Sequence, residues 1–195
     1  MKSTQIYTDG SCPTNPGKGG WAAIVVEDGE EVRALGGNAR EATNNSMELT
    51  AVLEAIRYVN EDTPTVSIYS DSQYVVKAVN EGWLKNWLRK DPTLSKRANG
   101  ELFFQLQHEL NMKPNVKLVW VRGHNGNKWN ERADEVAGLY AETPLTHPKV
   151  QPIIPVVKES KRSLSIELEL LLAKHKEEIV SLINKYQGEK GSEKY

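Results

Sequence analysis

The chain holds a single cysteine among its 195 residues, Cys12. One thiol can form neither an internal disulfide nor a cysteine zinc cage. No apolar run approaches the roughly 20 residues that a spanning helix needs, which speaks against a membrane protein. The opening MKSTQIYTDG carries no apolar signal core before the first strand-like run, so a cytoplasmic protein is expected. Net charge is almost absent as well: 25 Lys and Arg stand against 26 Asp and Glu, a formal −1. That near-zero sum hides a local cluster. Between Trp83 and Arg97 lie Lys85, Arg89, Lys90, Lys96 and Arg97 against Asp91 alone, with Trp83 and Trp87 interleaved. Such a stretch is either a solvated helix face with core aromatics or a grip on a nucleic-acid backbone.

What is present is ordinary globular material, 38% hydrophobic and 26% charged, enough for one main domain and an appendage. Strands are predicted at Gln5 to Asp9, Trp21 to Glu27 and Glu31 to Leu35, the last two joined by the hairpin pair Asp28-Gly29. Leu49, Val52, Leu53 and Ile56 recur at helical spacing and predict a helix from about Ser46 to Asn60, ended near Pro64. Strands follow at Thr65 to Ser70 and Val116 to Val121. Helical stretches lie near Gln73 to Asn80, Leu84 to Arg89, Glu101 to Met112 and Asn130 to Thr143. An antiparallel start followed by strand–helix alternation implies an α/β protein, a mixed five-stranded sheet flanked by helices.

The texture changes after Thr143. Pro144, Pro148, Pro152 and Pro155 predict an extended linker over 144–162, forming neither helix nor inner strand. An amphipathic helix is predicted over 163–187, outside the core domain of 1–143. Its Leu168, Leu172, His175, Ile179, Leu182 and Tyr186 follow a coiled-coil seam. That stripe suits self-association, docking on the main domain or binding another protein. The polar residues 188–195 read as a disordered tail.

One echo interrupts this pattern. IYTDGS from Ile6 and IYSDSQ from Ile68 each end an apolar run on an aspartate. A turn explains either one alone. If both strands are central neighbours, Asp9 and Asp71 converge instead on one point, since Tyr69 and Asp71 share a strand face by the two-residue alternation. Glu48 and Asp134 sit near helix starts, where each also suits the helix dipole by about 0.3–1 kcal/mol. His124 lies in a loop between Gly123 and Gly126, where a solvated surface histidine is the plainer reading. Asn130 reads as an N-cap of the last helix or as a site residue.

Taken in order, YTDGSC, TNNSMEL, YSDSQYV, GHNGN and NERAD resemble ribonuclease H type 1 over about Gln5 to Ala141. The resemblance implies that fold and an endonuclease cutting the RNA strand of RNA–DNA hybrids, leaving 5′-phosphate and 3′-hydroxyl ends. It implies two magnesium ions, with manganese as the alternative. Asp9 would bridge them, Glu48 and Asp71 would hold the water-activating ion, and Asp134 would complete the other. Such a cluster needs cations, because adjacent carboxylates raise one another's pKa. By the same resemblance His124 assists proton transfer or product departure, and Asn130 places the attacking water.

The resemblance also implies substrate contacts. Cys12, Asn15, Asn44, Asn45 and Gln73 would line the minor groove, where 2′-hydroxyls distinguish RNA from DNA. For Asn15, before Pro16-Gly17, turn chemistry remains the competing reading. Trp83 and Trp87 would face deoxyribose within a basic protrusion. Thr43 and Asn99 match a phosphate pocket. The pocket arginine expected two residues before Thr43 is Glu41, with Arg40 beside it, and an arginine usual after the double asparagine is Ser46. A nuclease acting on DNA alone and a non-catalytic hybrid-binding module are the alternatives to hybrid cleavage.

Overall fold

The computed structural model describes residues 4–60 and 63–144 and the backbone of 154–155. All belong to one unit, Met1–Val156. The C-terminal helix, the tail and most of the expected linker lie outside the described residues.

Strands β1 (Thr4–Ser11), β2 (Gly17–Glu27) and β3 (Glu30–Ala42) form an antiparallel meander. The β2–β3 turn follows its sequence signal, with Asp28 and Gly29 both at positive φ, 52° and 80°. Helix α1 (Asn44–Tyr58) then leads to β4 (Val66–Ser70), which lies parallel to β1. Helices α2 (Gln73–Asn80), α3 (Trp83–Lys90) and α4 (Gly100–Met112) precede β5 (Val116–Trp120), parallel to β4. Helix α5 (Lys128–Glu142) ends the main run. The expected mixed five-stranded sheet is present, in the order β5-β4-β1-β2-β3. A two-residue strand β6 (Ile154–Pro155) adds to the β3 edge, opposite Arg33 and Ala34. Among the described residues no helix is long and apolar enough to cross a membrane.

Side-chain alternation divides the sheet into two faces. Ile6, Ala23, Val25, Leu35 and Ile68 join Leu49, Val52, Leu53 and Ile56 of α1, with Phe103 and Leu106 of α4 behind them. Tyr7, Ala22, Ile24 and Ala34 take the other face, where α5 contributes buried Ala133, Val136, Ala137 and Tyr140. Strand β3 runs seven residues beyond the expected end at Leu35, through Gly36 and Gly37. The paired glycines permit close packing here. A Cβ on Gly36 would lie 2.2 Å from Cε2 of Tyr140, and one on Gly20 2.2 Å from the Ala137 carbonyl oxygen. The sheet can therefore receive α5 directly.

Helix α1 starts two residues before the expected Ser46 and stops at Tyr58, well before Pro64. Its start is set by a capping box between Thr43 and Ser46. Its end is held by Lys113, which is 9% exposed and whose Nζ donates to the carbonyls of Ile56 (2.7 Å) and Arg57 (3.0 Å). A buried ammonium on a helix C-terminus supplies the Arg57 carbonyl with a donor, adds a second to the Ile56 carbonyl that already accepts the Val59 N–H, and meets the negative end of the dipole. Lys113→Met should lower stability by about 1–3 kcal/mol in urea unfolding. An unchanged midpoint would show that water replaces the ammonium without loss.

Candidate active site

The two echoed segments lie side by side in register. Ile6 pairs with Ile68, Tyr7 with Tyr69 and Thr8 with Ser70. Asp9 and Asp71 therefore come directly after the last paired rung, Asp9 within β1 and Asp71 just past the end of β4. The Thr8 hydroxyl donates to the Tyr69 carbonyl at 3.2 Å, tying the rungs together just below them. Asp9 is 8% exposed, and its Oδ1 accepts the Gly10 backbone N–H at 2.7 Å. Opposite, the Trp120 indole N–H on β5 donates to the Asp71 carbonyl at 3.1 Å.

Glycine 10 brings the third carboxylate in. A Cβ there would fall 2.1 Å from the Glu48 backbone nitrogen and 2.3 Å from the Met47 carbonyl carbon. Only a bare backbone lets α1 rest on the strand end at this point. Glu48 then accepts a short hydrogen bond from the Ser72 hydroxyl, which also caps α2 by accepting from the Val75 N–H. Because α1 begins at Asn44, Glu48 is not in its first turn as the sequence suggested; no acid is. The dipole effect fades within the first turn. A capping role thus fails to account for Glu48.

Helix α5 supplies the fourth acid. It begins at Lys128, so Asp134 also lies beyond the first turn, where Glu131 stands instead. His124, at φ 49° in the preceding loop, places Nδ1 3.8 Å from Asp134 Oδ2, with both side chains largely exposed. Asn130 is not the N-cap. That position belongs to Asn127, whose side chain accepts the N–H groups of Trp129 (3.1 Å) and Asn130 (3.2 Å). Asn130, 2% exposed, turns Nδ2 toward Asp71 Oδ2 at 3.4 Å, and its Oδ1 is buried with no protein partner. Gly123 passes so close to Asp71 that a Cβ would lie 2.5 Å from its Oδ2.

The electrostatics report the convergence. Burial first, then the charge of Asp71, with smaller contributions from Asp134 and Glu48, push Asp9 up to about 8 against the opposing Gly10 bond. Glu48 is raised too, chiefly by burial and also by Asp71, with the Ser72 bond opposing. Hard oxygens of one sign, unbalanced by any neighbouring lysine or arginine among these causes, are a donor set that fits a divalent cation. Among the described residues, no group of three or more acidic, histidine or cysteine side chains is gathered as a metal-holding cluster. Magnesium uses few carboxylates and takes its other ligands from water and phosphate oxygens.

The RNase H family model matches residues 1–142. The chain belongs to this family. It is 46% identical to Ribonuclease H of Chlorobium luteolum over 140 residues, covering 70% of this chain and 94% of that protein. LC9-RNase H1, described as a type 1 RNase H with the type 2 active-site motif, superposes with a TM-score of 0.63. At 24% identity, with 84% of each chain covered, it shows the shared fold. LC11-RNase H1, solved in complex with RNA/DNA hybrid, gives a TM-score of 0.52 at 25% identity, over 69% of this chain and 94% of that one. The protein is thus a ribonuclease H enzyme by its relatives.

In this RNase H the expected substrate residues separate by exposure. Asn15, Asn44, Asn45 and Gln73 are exposed near the α1 and α2 starts, and Asn15 Oδ1 accepts the Asn44 N–H at 3.3 Å. Cys12 is buried, its Sγ donating to the Ala42 carbonyl. Thr43 serves as the α1 cap, and Asn99, at φ 58°, stands just before α4. Trp83 is 37% exposed. Trp87 is half-buried between the edge of Phe103 and the Arg97 guanidinium, 3.8 Å from its ring centroid. A groove of about 670 Å³ joins Asn45 to Trp87, Lys90, Lys96 and Arg97. None of the four acids lines it. Sequence reasoning gave no role to Ser72, Gly10 or Trp120. Ser72 was visible in the echo itself, one residue beyond Asp71.

Proposed function

We propose that this enzyme hydrolyses the RNA strand of RNA–DNA hybrids by a two-metal-ion mechanism, leaving 5′-phosphate and 3′-hydroxyl ends. The observation that carries it is that Asp9 and Asp71 follow the same paired rung, Thr8–Ser70, on adjacent strands, where burial and then the charge of Asp71, with smaller contributions from Asp134 and Glu48, raise Asp9 to about 8. In this reading Asp9, Glu48, Asp71 and Asp134 would together hold two magnesium or manganese ions, Asp9 serving both, Glu48 and Asp71 one, and Asp134 the other. The chemistry such ions would supply when bound is activation of a water on one side of a phosphodiester and stabilisation of the leaving oxygen on the other.

The protein's own groups have separate tasks. Ser72 holds the Glu48 carboxylate in one orientation through its hydroxyl. Asn130 fixes Asp71 through Nδ2 and keeps Oδ1 as a buried acceptor for the attacking water. His124, exposed beside Asp134, relays a proton or helps product leave. Cys12, Asn15, Asn44, Asn45 and Gln73 form the minor-groove side, with exposed amides as donors and acceptors for 2′-hydroxyls; the buried Cys12 shapes the backbone there. Thr43 and Asn99 address a phosphate, and the basic groove beside Trp83 and Trp87 follows the DNA strand. The hybrid seen with LC11-RNase H1 supports this choice of substrate.

The test compares a labelled hybrid with duplex DNA and duplex RNA in magnesium and in manganese. Cleavage confined to the RNA of the hybrid is expected. Cutting of duplex DNA, or tight hybrid binding without turnover in either metal, would overturn the proposal. Trp83→Ala should raise KM for the hybrid by about 5–150-fold, since a nucleic-acid stacking contact is worth about 1–3 kcal/mol, with kcat changed far less. An unaltered KM would remove Trp83 from the binding surface.

A further inference from the structure

We propose that Trp120 is a positioning residue: its indole N–H locks the Asp71–Ser72 peptide plane, and through that one plane sets two of the four carboxylates, Asp71 directly and Glu48 by way of Ser72. The inference deepens the hydrolase reading above and rests on it.

The strand ladder gives out just where the carboxylate is needed. Ser70 pairs with Trp120 in the last rung between β4 and β5, and the Val121 N–H still donates to the Ser70 carbonyl at 3.0 Å. Asp71 comes one residue later, past the end of β4. Its carbonyl is met by a side chain instead, the Trp120 indole N–H at 3.1 Å. At the other end of the same peptide unit, the Ser72 N–H donates to the Ser70 hydroxyl at 3.2 Å. A planar unit held at both its oxygen and its nitrogen cannot rotate without breaking one of the two bonds.

Two carboxylates hang from that plane. On one side of it, Asp71 Oδ2 meets Asn130 Nδ2 at 3.4 Å, a long contact that holds the group only loosely by itself. Gly123 also crowds this oxygen, since a Cβ there would lie 2.5 Å from it. On the other side, the Ser72 hydroxyl donates to Glu48 while accepting the Val75 N–H at the start of α2. Tilting the plane therefore displaces Asp71 and loosens Glu48 together. The faces of the sheet agree with this division of labour, because paired residues of parallel strands share a face and Trp120 leaves β5 on the side of Leu118 and Ile68. Asp71, one residue beyond Ser70, sends its carboxylate to the opposite side, toward α5. The indole thus pins the peptide from behind the carboxylate. Packing alone is a poor account of the residue, since Trp120 is 46% exposed. The competing use of so open a ring beside the cleft is a stacking platform for a nucleotide.

Two replacements at this position separate the bond from the ring. Trp120→Phe keeps an aromatic ring and loses the donor, whereas benzothienylalanine at 120 keeps the bicyclic shape and puts sulfur where the N–H stood. Each should lower kcat on a hybrid about tenfold and weaken magnesium binding by a similar factor, with KM for the hybrid within about twofold. Magnesium affinity is read by titration calorimetry on the protein without substrate. In the metal-free proteins the Ser72 amide should exchange faster with solvent while β1 and β2 amides keep their wild-type rates. A loss in Trp120→Phe that benzothienylalanine restores would assign the effect to the bulk of the ring and overturn the lock. A rise in KM alone, the mark of a stacking platform, would overturn it too, as would a Ser72 amide that exchanges at the wild-type rate in both proteins. If the wild-type chain leaves the hybrid uncut, the hydrolase reading fails instead, and the magnesium titration and Ser72 exchange still report whether the lock exists.

Discussion

Asp9→Asn should reduce cleavage of a labelled RNA–DNA hybrid by on the order of 10³-fold or more, with the folded state intact. The substitution keeps the shape of the side chain and an oxygen for the Gly10 N–H, so the strand end has no steric reason to move. What it removes is the negative charge at the most buried of the four acids, the one whose ionisation Asp71, Asp134 and Glu48 all oppose. A side chain in that position is needed charged only if cations share the site. Full activity in the variant would sink the two-ion reading, while a loss restored by raising magnesium or manganese would show that the charge serves cation capture alone.

The same group should make metal-free stability depend on pH in an unusual direction. Asp9 titrates at about 8 in the folded chain, far above the ordinary aspartate value of 3.8. Between those limits the folded state holds a proton that the unfolded state has released. Its contribution is therefore complete below the unfolded value and is lost as pH rises through about 8. One pKa unit corresponds to about 1.4 kcal/mol, so the full loss is on the order of several kcal/mol, large against a typical domain stability of about 5–15 kcal/mol. In chelator, urea midpoints of wild type should fall relative to Asp9→Asn as pH is raised from 4 to 8, and the gap should narrow when magnesium is added. Parallel curves for the two proteins, with and without metal, would show that the carboxylates are not mutually strained.

Both results depend on features that the sequence shows unevenly. The echo of IYTDGS and IYSDSQ was readable because an aspartate after an apolar alternating run is conspicuous in a line of text. The helix from the Leu49 spacing and the hairpin at Asp28-Gly29 were equally readable, since each is coded by neighbours within a few residues. The end of the third strand was not readable. It was expected at Leu35, yet Gly36 and Gly37 accommodate Tyr140 and Trp21 within a strand that continues to Ala42. Asn130 looked like a cap because asparagines favour that place, and Asn127 took the role three residues earlier.

The order of acidic motifs, taken by itself, determined the family, the sheet's strand composition and the four carboxylates worth testing. Local periodicity and turn chemistry are written along the chain, so they survive without coordinates. Only the tertiary structure decided that Asp9 and Asp71 follow the same paired rung on adjacent strands, that Gly10 admits α1 beside them, that Ser72 holds Glu48 and that Asn127 caps α5. Those choices turn on contacts between residues as many as 61 positions apart along the chain, whose distances are set by strand register and by the closeness of helix to sheet rather than by any neighbour in sequence.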